Sequence, residues 1–167
     1  MKALILSADN FEDLELFYPL NRFKEAGVDV KIASMEKGII TGKHGYPANV
    51  DLTFNDVNPE DYDILVISGG KAPEKVRLDE KALEITKHFF DRNKPVAAIC
   101  HGVQVLISAG VAKGRKATCY IGVRDDLKVA GADYEDNEVV VDGNLITSRN
   151  PNDLYAFGRE IVKMIKK

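Results

Sequence analysis

Cys100, His101 and Gly102 stand directly after a short apolar run, Val-Ala-Ala-Ile at residues 96–99. That run follows Pro95 and reads as a strand buried on both faces. Beyond it, Val103, Leu106 and Ile107 fall at helical spacing until Gly110. Strand, one residue, helix is the layout of a nucleophile elbow, a tight turn that lifts one side chain over the carboxyl edge of a parallel sheet. A thiol there meets unpaired backbone N–H groups and the positive end of a helix dipole. Both favour thiolate, so the expected pKa of Cys100 lies below the ordinary thiol range and the sulfur is a nucleophile at neutral pH. The competing reading is a small buried hydrophobe at a strand end, the commoner fate of a free cysteine. The elbow context weighs against it.

A cysteine nucleophile wants a base held by a third group. The chain has three histidines. His44 lies in an irregular stretch and His88 in the middle of a helix. No histidine follows His101, so a distant His-x-Glu pair cannot be built. His101 is therefore the candidate base, provided its ring folds back over the elbow and an acceptor holds its far nitrogen. Gly69-Gly70 ends another buried run. It can offer the Gly70 N–H to a developing oxyanion, with the His101 N–H as second donor. The pair is no phosphate loop, since neither Walker nor GxGxxG spacing is present. Two carboxylates remain open at this point. Glu12, just after the first strand, either starts a helix or reaches the sulfur as a protonated donor, a state that burial favours. Glu74, after Pro73, is either an acidic helix start or a partner for His101, and spacing does not choose.

The elements that must position these groups read as one α/β domain over residues 1–167. Residues 3–6 form a buried strand. Residues 13–26 form a helix with Leu14, Leu16, Phe17, Leu20 and Phe23 inward, closed by Gly27. Residues 28–33 form a second strand, parallel to the first through a right-handed crossover. Residues 39–52 make a small excursion of short strands around a turn at 42–45. Residues 63–68 are another buried strand, 71–78 a short helical piece, and Asp79 caps a helix to Arg92. After the elbow helix, residues 117–120 read as a strand and 122–130 as a helix. Residues 138–141 and 144–148 read as a hairpin with a type I′ turn at Asp142-Gly143. Asn150 caps the last helix, with Pro151 at its first position.

Composition narrows the class. The chain has 167 residues, 45% hydrophobic and 29% charged, and a net charge of −3, as in globular proteins with a core that needs no staples. A slightly acidic chain carries no basic footprint for nucleic acid. No run is long enough for a membrane span or a signal-peptide core. Two cysteines, Cys100 and Cys119, make no disulfide framework, and a working thiol suits a reducing cytoplasm. Metal held by Cys100, His101 and Glu12 is a poor fit, because adjacent Cys and His rarely face one tetrahedral ion. No metal and no cofactor are expected.

Ala98-Ile99-Cys100-His101-Gly102, Phe11-Glu12-Asp13 and Gly69-Gly70-Lys71-Ala72-Pro73-Glu74 resemble the PfpI-type intracellular protease and deglycase family, within the class I glutamine-amidotransferase-like superfamily. Residues 41–46, 50–54, 125–126, 139–144 and 148–154 resemble family segments too, so the likeness spans the chain. It implies a flavodoxin-like three-layer sandwich with a mostly parallel sheet. It implies Cys100 as nucleophile, His101 as its partner, and Glu12 as the buried acid hydrogen-bonded to the sulfur. Glu74 would orient His101 from a neighbouring subunit of a homodimer or homohexamer, and Tyr120 would line the site. Family members have Pro where this chain has Val103, a change that costs no helical donor. Cys119 stands where relatives carry Ser; a core or strand role is expected for it. The activities implied are deglycase or glutathione-independent glyoxalase chemistry on small dicarbonyl adducts, then cysteine peptidase action on short peptides. A redox-sensing or chaperone-like stress protein is the alternative outside catalysis.

Overall fold

The computed structural model describes residues 1–166. Its centre is a seven-stranded sheet built from β1 (Lys2–Leu6), β2 (Asp29–Ser34), β5 (Leu52–Thr53), β6 (Ile64–Ile67), β7 (Val96–Ile99), β10 (Val139–Asp142) and β11 (Leu145–Ser148), in the order β10-β11-β7-β6-β1-β2-β5. Every neighbouring pair is parallel except β10 on β11 at one edge. Ala3 of β1 stands between Val30 and Ile64, and Val96 of β7 between Leu65 and Leu145. The three inner strands β1, β6 and β7 are apolar and buried almost throughout, the pattern of strands covered on both faces.

Helices cover both faces because the crossovers run in opposite directions. From β1 the chain moves one way along the sheet to β2 through α1 (Asp13–Glu25). From β6 it moves the other way to β7 through α2 (Ala72–Val76) and α3 (Glu80–Asp91). Right-handed crossovers of opposite sense put their helices on opposite faces. Accordingly α1 packs with the last helix, α6 (Leu154–Ile165), while α2 and α3 pack with α4 (Val103–Ser108), which in turn meets α5 (Arg124–Val129). The strand order reverses between β1 and β6, and the crevice beyond their carboxyl ends is where α/β sheets of this kind bind ligands. Two small additions complete the chain: an antiparallel pair, β3 (Gly38–Thr41) with β4 (Pro47–Val50), and a parallel pair, β8 (Lys116–Ala117) with β9 (Asp133–Tyr134).

Three expectations change in detail. Residues 118–120 do not continue β8. Thr118 N–H donates to Thr147 Oγ1 at 2.9 Å and Tyr120 N–H to the Cys100 carbonyl at 3.3 Å, so these donors tie the segment to β11 and the elbow instead of a ladder. The hairpin loop is Gly143-Asn144, with Asp142 paired to Leu145 and positive φ only at Gly143 (57°). One left-handed residue at the first loop position marks a type II′ turn, not the expected I′. Leu14 is 58% exposed, on the solvent side of α1, while Glu15, Leu16, Pro19, Leu20 and Phe23 are buried.

Candidate active site

β7 ends at Ile99, and the chain turns through Cys100 at φ 61°, a left-handed conformation rare for a residue with a Cβ. A single 3-10 turn, Cys100–Gly102, leads into α4. The elbow expected from the sequence is thus formed. Cys100 is 6% exposed, and its sulfur lies 3.3 Å from His101 Nδ1. The His101 ring stacks on Tyr120 at 4.7 Å between centroids, so the neighbour in sequence does fold back over the sulfur. The backbone N–H groups of Gly70 and His101 both face Sγ.

The acid at the sulfur is Glu15, not Glu12. Glu15 is fully buried on the inner side of α1 and its carboxyl faces the Cys100 thiol and the Gly69 amide, though neither oxygen has a partner of full hydrogen-bond geometry. Burial, reinforced by the nearby Glu12 charge, lifts its pKa to about 8, so it carries its proton at neutral pH and can donate to the sulfur. Glu12 has another task. Its Oε2 accepts the Glu15 N–H at 3.0 Å as the N-cap of α1, and its Oε1 faces His44 Nε2 at 3.5 Å. A one-residue error in the phase of α1 hid this from the sequence. With Leu14 placed inward, Glu15 falls outward. With Leu16, Pro19, Leu20 and Phe23 as the stripe, Glu15 joins the buried face.

The expected low thiol pKa is also corrected in direction. Burial pushes the Cys100 thiol up, and any negative charge on Glu15 pushes it further, while the N–H groups of His101 and Gly70 pull it down. The α4 helix is one and a half turns long, and its dipole is a weak counterweight. Thiolate therefore depends on Glu15 keeping its proton, since a neutral carboxyl stabilises the sulfur anion and an ionised one repels it. Burial likewise lowers the His101 pKa, against the raising influence of Glu74, which leaves the imidazole neutral and able to accept a proton.

Gly69 and Gly70 make this geometry possible. A Cβ on Gly69 would lie 1.9 Å from Glu15 Oε2 and 2.9 Å from Cys100 Cβ. Gly70 has φ 75°, and a Cβ there would meet the Glu12 nitrogen at 2.3 Å and the Asn10 oxygen at 2.6 Å. Side-chain-free backbone is what lets this loop pair with Phe11 and still aim an N–H at the sulfur.

These groups open on a cavity of about 290 Å³. Its floor is Cys100, Glu15 and Gly70; Tyr120, Asn150 and Pro151 form one part of the wall, and Lys43, Lys71 and Glu74 contribute charge. Glu74 reaches the cavity from α2 of the same chain. A larger hollow of about 530 Å³, between Met1, the end of α1 and α6, holds no nucleophile. Glu12, Asp13 and His44 each bring one metal-ligating atom within 4.8 Å of the others. Both Asp13 oxygens are already engaged, by the N–H groups of His44 (2.9 Å) and Tyr46 (3.1 Å), so the cluster holds its hairpin loop in place with its own atoms. Among the described residues no helix is long and apolar enough to cross a membrane.

The model of the DJ-1/PfpI family matches residues 1–164. A protein of Pyrococcus furiosus named Deglycase PfpI is 63% identical over 166 residues, covering 99% of this chain and all of the relative. A Bacillus subtilis protein with a provisional cysteine-protease name, YraA, is 45% identical over 166 residues, 99% of this chain and 98% of its own. Among solved structures, a two-domain protein of Anabaena variabilis with DJ-1/ThiJ/PfpI-like and ferritin-like domains superposes with a TM-score of 0.97 at 38% identity. It covers 99% of this chain, which spans about half (48%) of that longer one. The chain belongs to the DJ-1/PfpI family.

Proposed function

We propose that this protein is a cysteine-dependent hydrolase of small carbonyl substrates, a deglycase or glutathione-independent glyoxalase. The observation that carries the reading is the setting of Cys100: a left-handed elbow residue whose sulfur faces a protonated Glu15, two backbone N–H groups and His101 Nδ1 at 3.3 Å. The deglycase name of the 63% identical relative supports the substrate class. A cavity of about 290 Å³ suits a small adduct better than a folded protein.

In this reading the amine or thiol first leaves the carbinol carbon of a methylglyoxal or glyoxal adduct as His101 carries the carbinol O–H proton to it, freeing an aldehyde, and the Cys100 thiolate adds to the aldehyde carbon. The N–H groups of Gly70 and His101 receive the oxyanion that forms. His101 then moves the proton of that carbon to the neighbouring carbonyl carbon, which turns the hemithioacetal into the thioester of a hydroxy acid, and water hydrolyses the thioester to the acid and frees the thiolate. Glu15 keeps the sulfur anionic between steps by lending a hydrogen bond. Glu74 orients His101, and the site is completed by a second copy docked at this mouth. Among the described residues the His101 ring makes its side-chain hydrogen bond to Cys100, and this chain's own Glu74 acts on it through its charge without a hydrogen bond; in this reading the acceptor for the far nitrogen is a second Glu74, brought by the partner copy. Tyr120 holds the ring from its face.

The test is turnover of methylglyoxal, free and as an arginine or cysteine adduct, by the wild type and by Cys100→Ala. Loss of turnover in the variant is expected. A wild type that turns over none of these while its thiol still alkylates overturns the reading. A protonated Glu15 beside the sulfur would equally stabilise a sulfinate, which favours redox sensing as the second reading. A sensor needs no base, so a Cys100 that oxidises normally in His101→Ala, in a wild type without turnover, selects it.

A further inference from the structure

The mechanism above leaves two lysines of the cavity unused, Lys43 and Lys71, and of these Lys43 is the one whose charge reaches Glu15 and His101. It stands at the tip of the β3–β4 hairpin and lines the cavity beside Glu15 and His101. Its backbone is held from several sides. Lys43 N–H donates to the Phe11 carbonyl at 2.9 Å, Gly42 N–H to the Tyr46 carbonyl at 2.8 Å, and buried Asp13 accepts from His44 and Tyr46. The loop is therefore fixed against the start of α1, and the side chain hangs from a rigid point at the rim. Among the described residues its ammonium takes part in no ion pair or side-chain hydrogen bond, unlike Arg22, Arg92, Arg115 and Arg149, each of which pairs with a carboxylate.

The anionic groups of the same cavity are differently placed. Both oxygens of Glu12 are engaged, one by the Glu15 N–H and one by His44. Glu74 acts on His101, whereas Lys43 acts on both His101 and Glu15. The positive charge thus reaches the sulfur's own acid, and the negative charge of Glu74 stays on the histidine side. Asn150 adds a donor to the wall, since its carbonyl oxygen already accepts from the Asn152 N–H at 3.0 Å and leaves its N–H2 free to give.

We propose that Lys43 forms an anion subsite in this cavity, taking the carboxylate of a small carbonyl substrate such as a free amino-acid adduct, so that anionic substrates are preferred over neutral ones. The inference rests on the reading of Cys100 as the nucleophile. It deepens that reading by naming the substrate class: adducts of free amino acids and small keto acids, ahead of adducts on protein side chains, which carry no carboxylate so close to the reacting carbon.

The test compares alkylation of Cys100 by iodoacetate, an anion, and by iodoacetamide, its neutral analogue. Both lose iodide to the same thiolate, so a changed thiolate fraction cancels in the ratio of rates. The wild-type ratio should exceed that of free cysteine. In Lys43→Met it should fall by about fivefold, the scale of one partly exposed charge pair, and Lys43→Arg should keep it. Added glycolate should slow iodoacetamide alkylation in the wild type and not in Lys43→Met. Lys71→Met, altering the other lysine of the cavity, should leave the ratio in place. A wild type without preference for iodoacetate, a Lys43→Met ratio equal to wild type, or a fall in Lys71→Met instead would each overturn the proposal. No turnover is needed for the ratio, so it stands or falls separately from the dicarbonyl assay.

Discussion

Cys100 and Cys119 are both free and both buried, yet they lie in different chemical worlds. Burial pushes the Cys119 thiol up to about 12, with the Asp126 charge adding to it and Arg124 opposing; no backbone donor or protonated acid answers the burial. Burial and any charge on Glu15 push Cys100 up as well, but there two N–H groups pull it down, a protonated Glu15 can donate to the sulfur, and a histidine waits 3.3 Å away. Seclusion by itself makes a thiol inert. Reactivity comes from the surroundings that an elbow backbone gathers, at the cost of a left-handed residue and a buried acid.

The comparison is broken most forcefully by exchanging each sulfur in turn. Cys100→Ser should lower turnover by at least about a thousandfold, and Cys119→Ser should leave it within about twofold, measured as kcat/KM on one adduct. Equal losses in the two variants would mean that the thiols are not distinguished as described.

Glu15 sharpens the point through pH. Its folded pKa of about 8 lies above its ordinary value of 4.5. Below pH 4.5 both folded and unfolded chains hold the proton and nothing is lost. Between pH 4.5 and 8 the unfolded chain releases it while the folded chain cannot, so stability falls, and above pH 8 the loss is constant. Glu15→Gln should remove this slope, making the variant more stable than wild type at pH 8 by on the order of 4 kcal/mol relative to pH 4, while cutting turnover. Urea melts at the two pH values decide it; parallel curves for the two proteins would show an ionised Glu15.

Gly70→Ala attacks the donor rather than the acid. The added methyl meets backbone atoms at 2.3 to 2.7 Å in a left-handed residue, so a loss of at least about 2 kcal/mol in stability and a slower Cys100 alkylation are expected together. Cys119→Ala should show the smallest effect, about 1 kcal/mol from a small cavity, with alkylation of Cys100 unchanged.

Much of this was legible beforehand where residue type and backbone agree. Short apolar runs marked β1, β6 and β7, and the Cys-His-Gly that follows the last of them marked the elbow. Asp79 accepts the expected N–H from Ala82, whereas Asn150 caps not α6 itself but the single 3-10 turn, Pro151–Asp153, that leads into it. Glu15 escaped because apolar patterning treats a glutamate as a solvent-side residue, and of the two leucines that flank it Leu14 faces water while Leu16 faces the core. The turn at Gly143 escaped because Asp-Gly reads as a type I′ pair, whereas pairing of Asp142 with Leu145 shifts the loop by one residue. Residues 118–120 escaped because their donors serve partners in distant elements, which no local period reveals.

The position of β7 has one more consequence, for the order in which the protein is made. Its two neighbours in the sheet are β6, some thirty residues earlier, and β11, which ends at Ser148. Tyr120 closes on the Cys100 carbonyl, and Asn150 and Pro151 supply wall. A chain emerging from the ribosome therefore has the strand that carries Cys100 open along one edge until Ser148 has been made. Until then Cys100 lacks part of the setting described above and is expected to react as an ordinary cysteine.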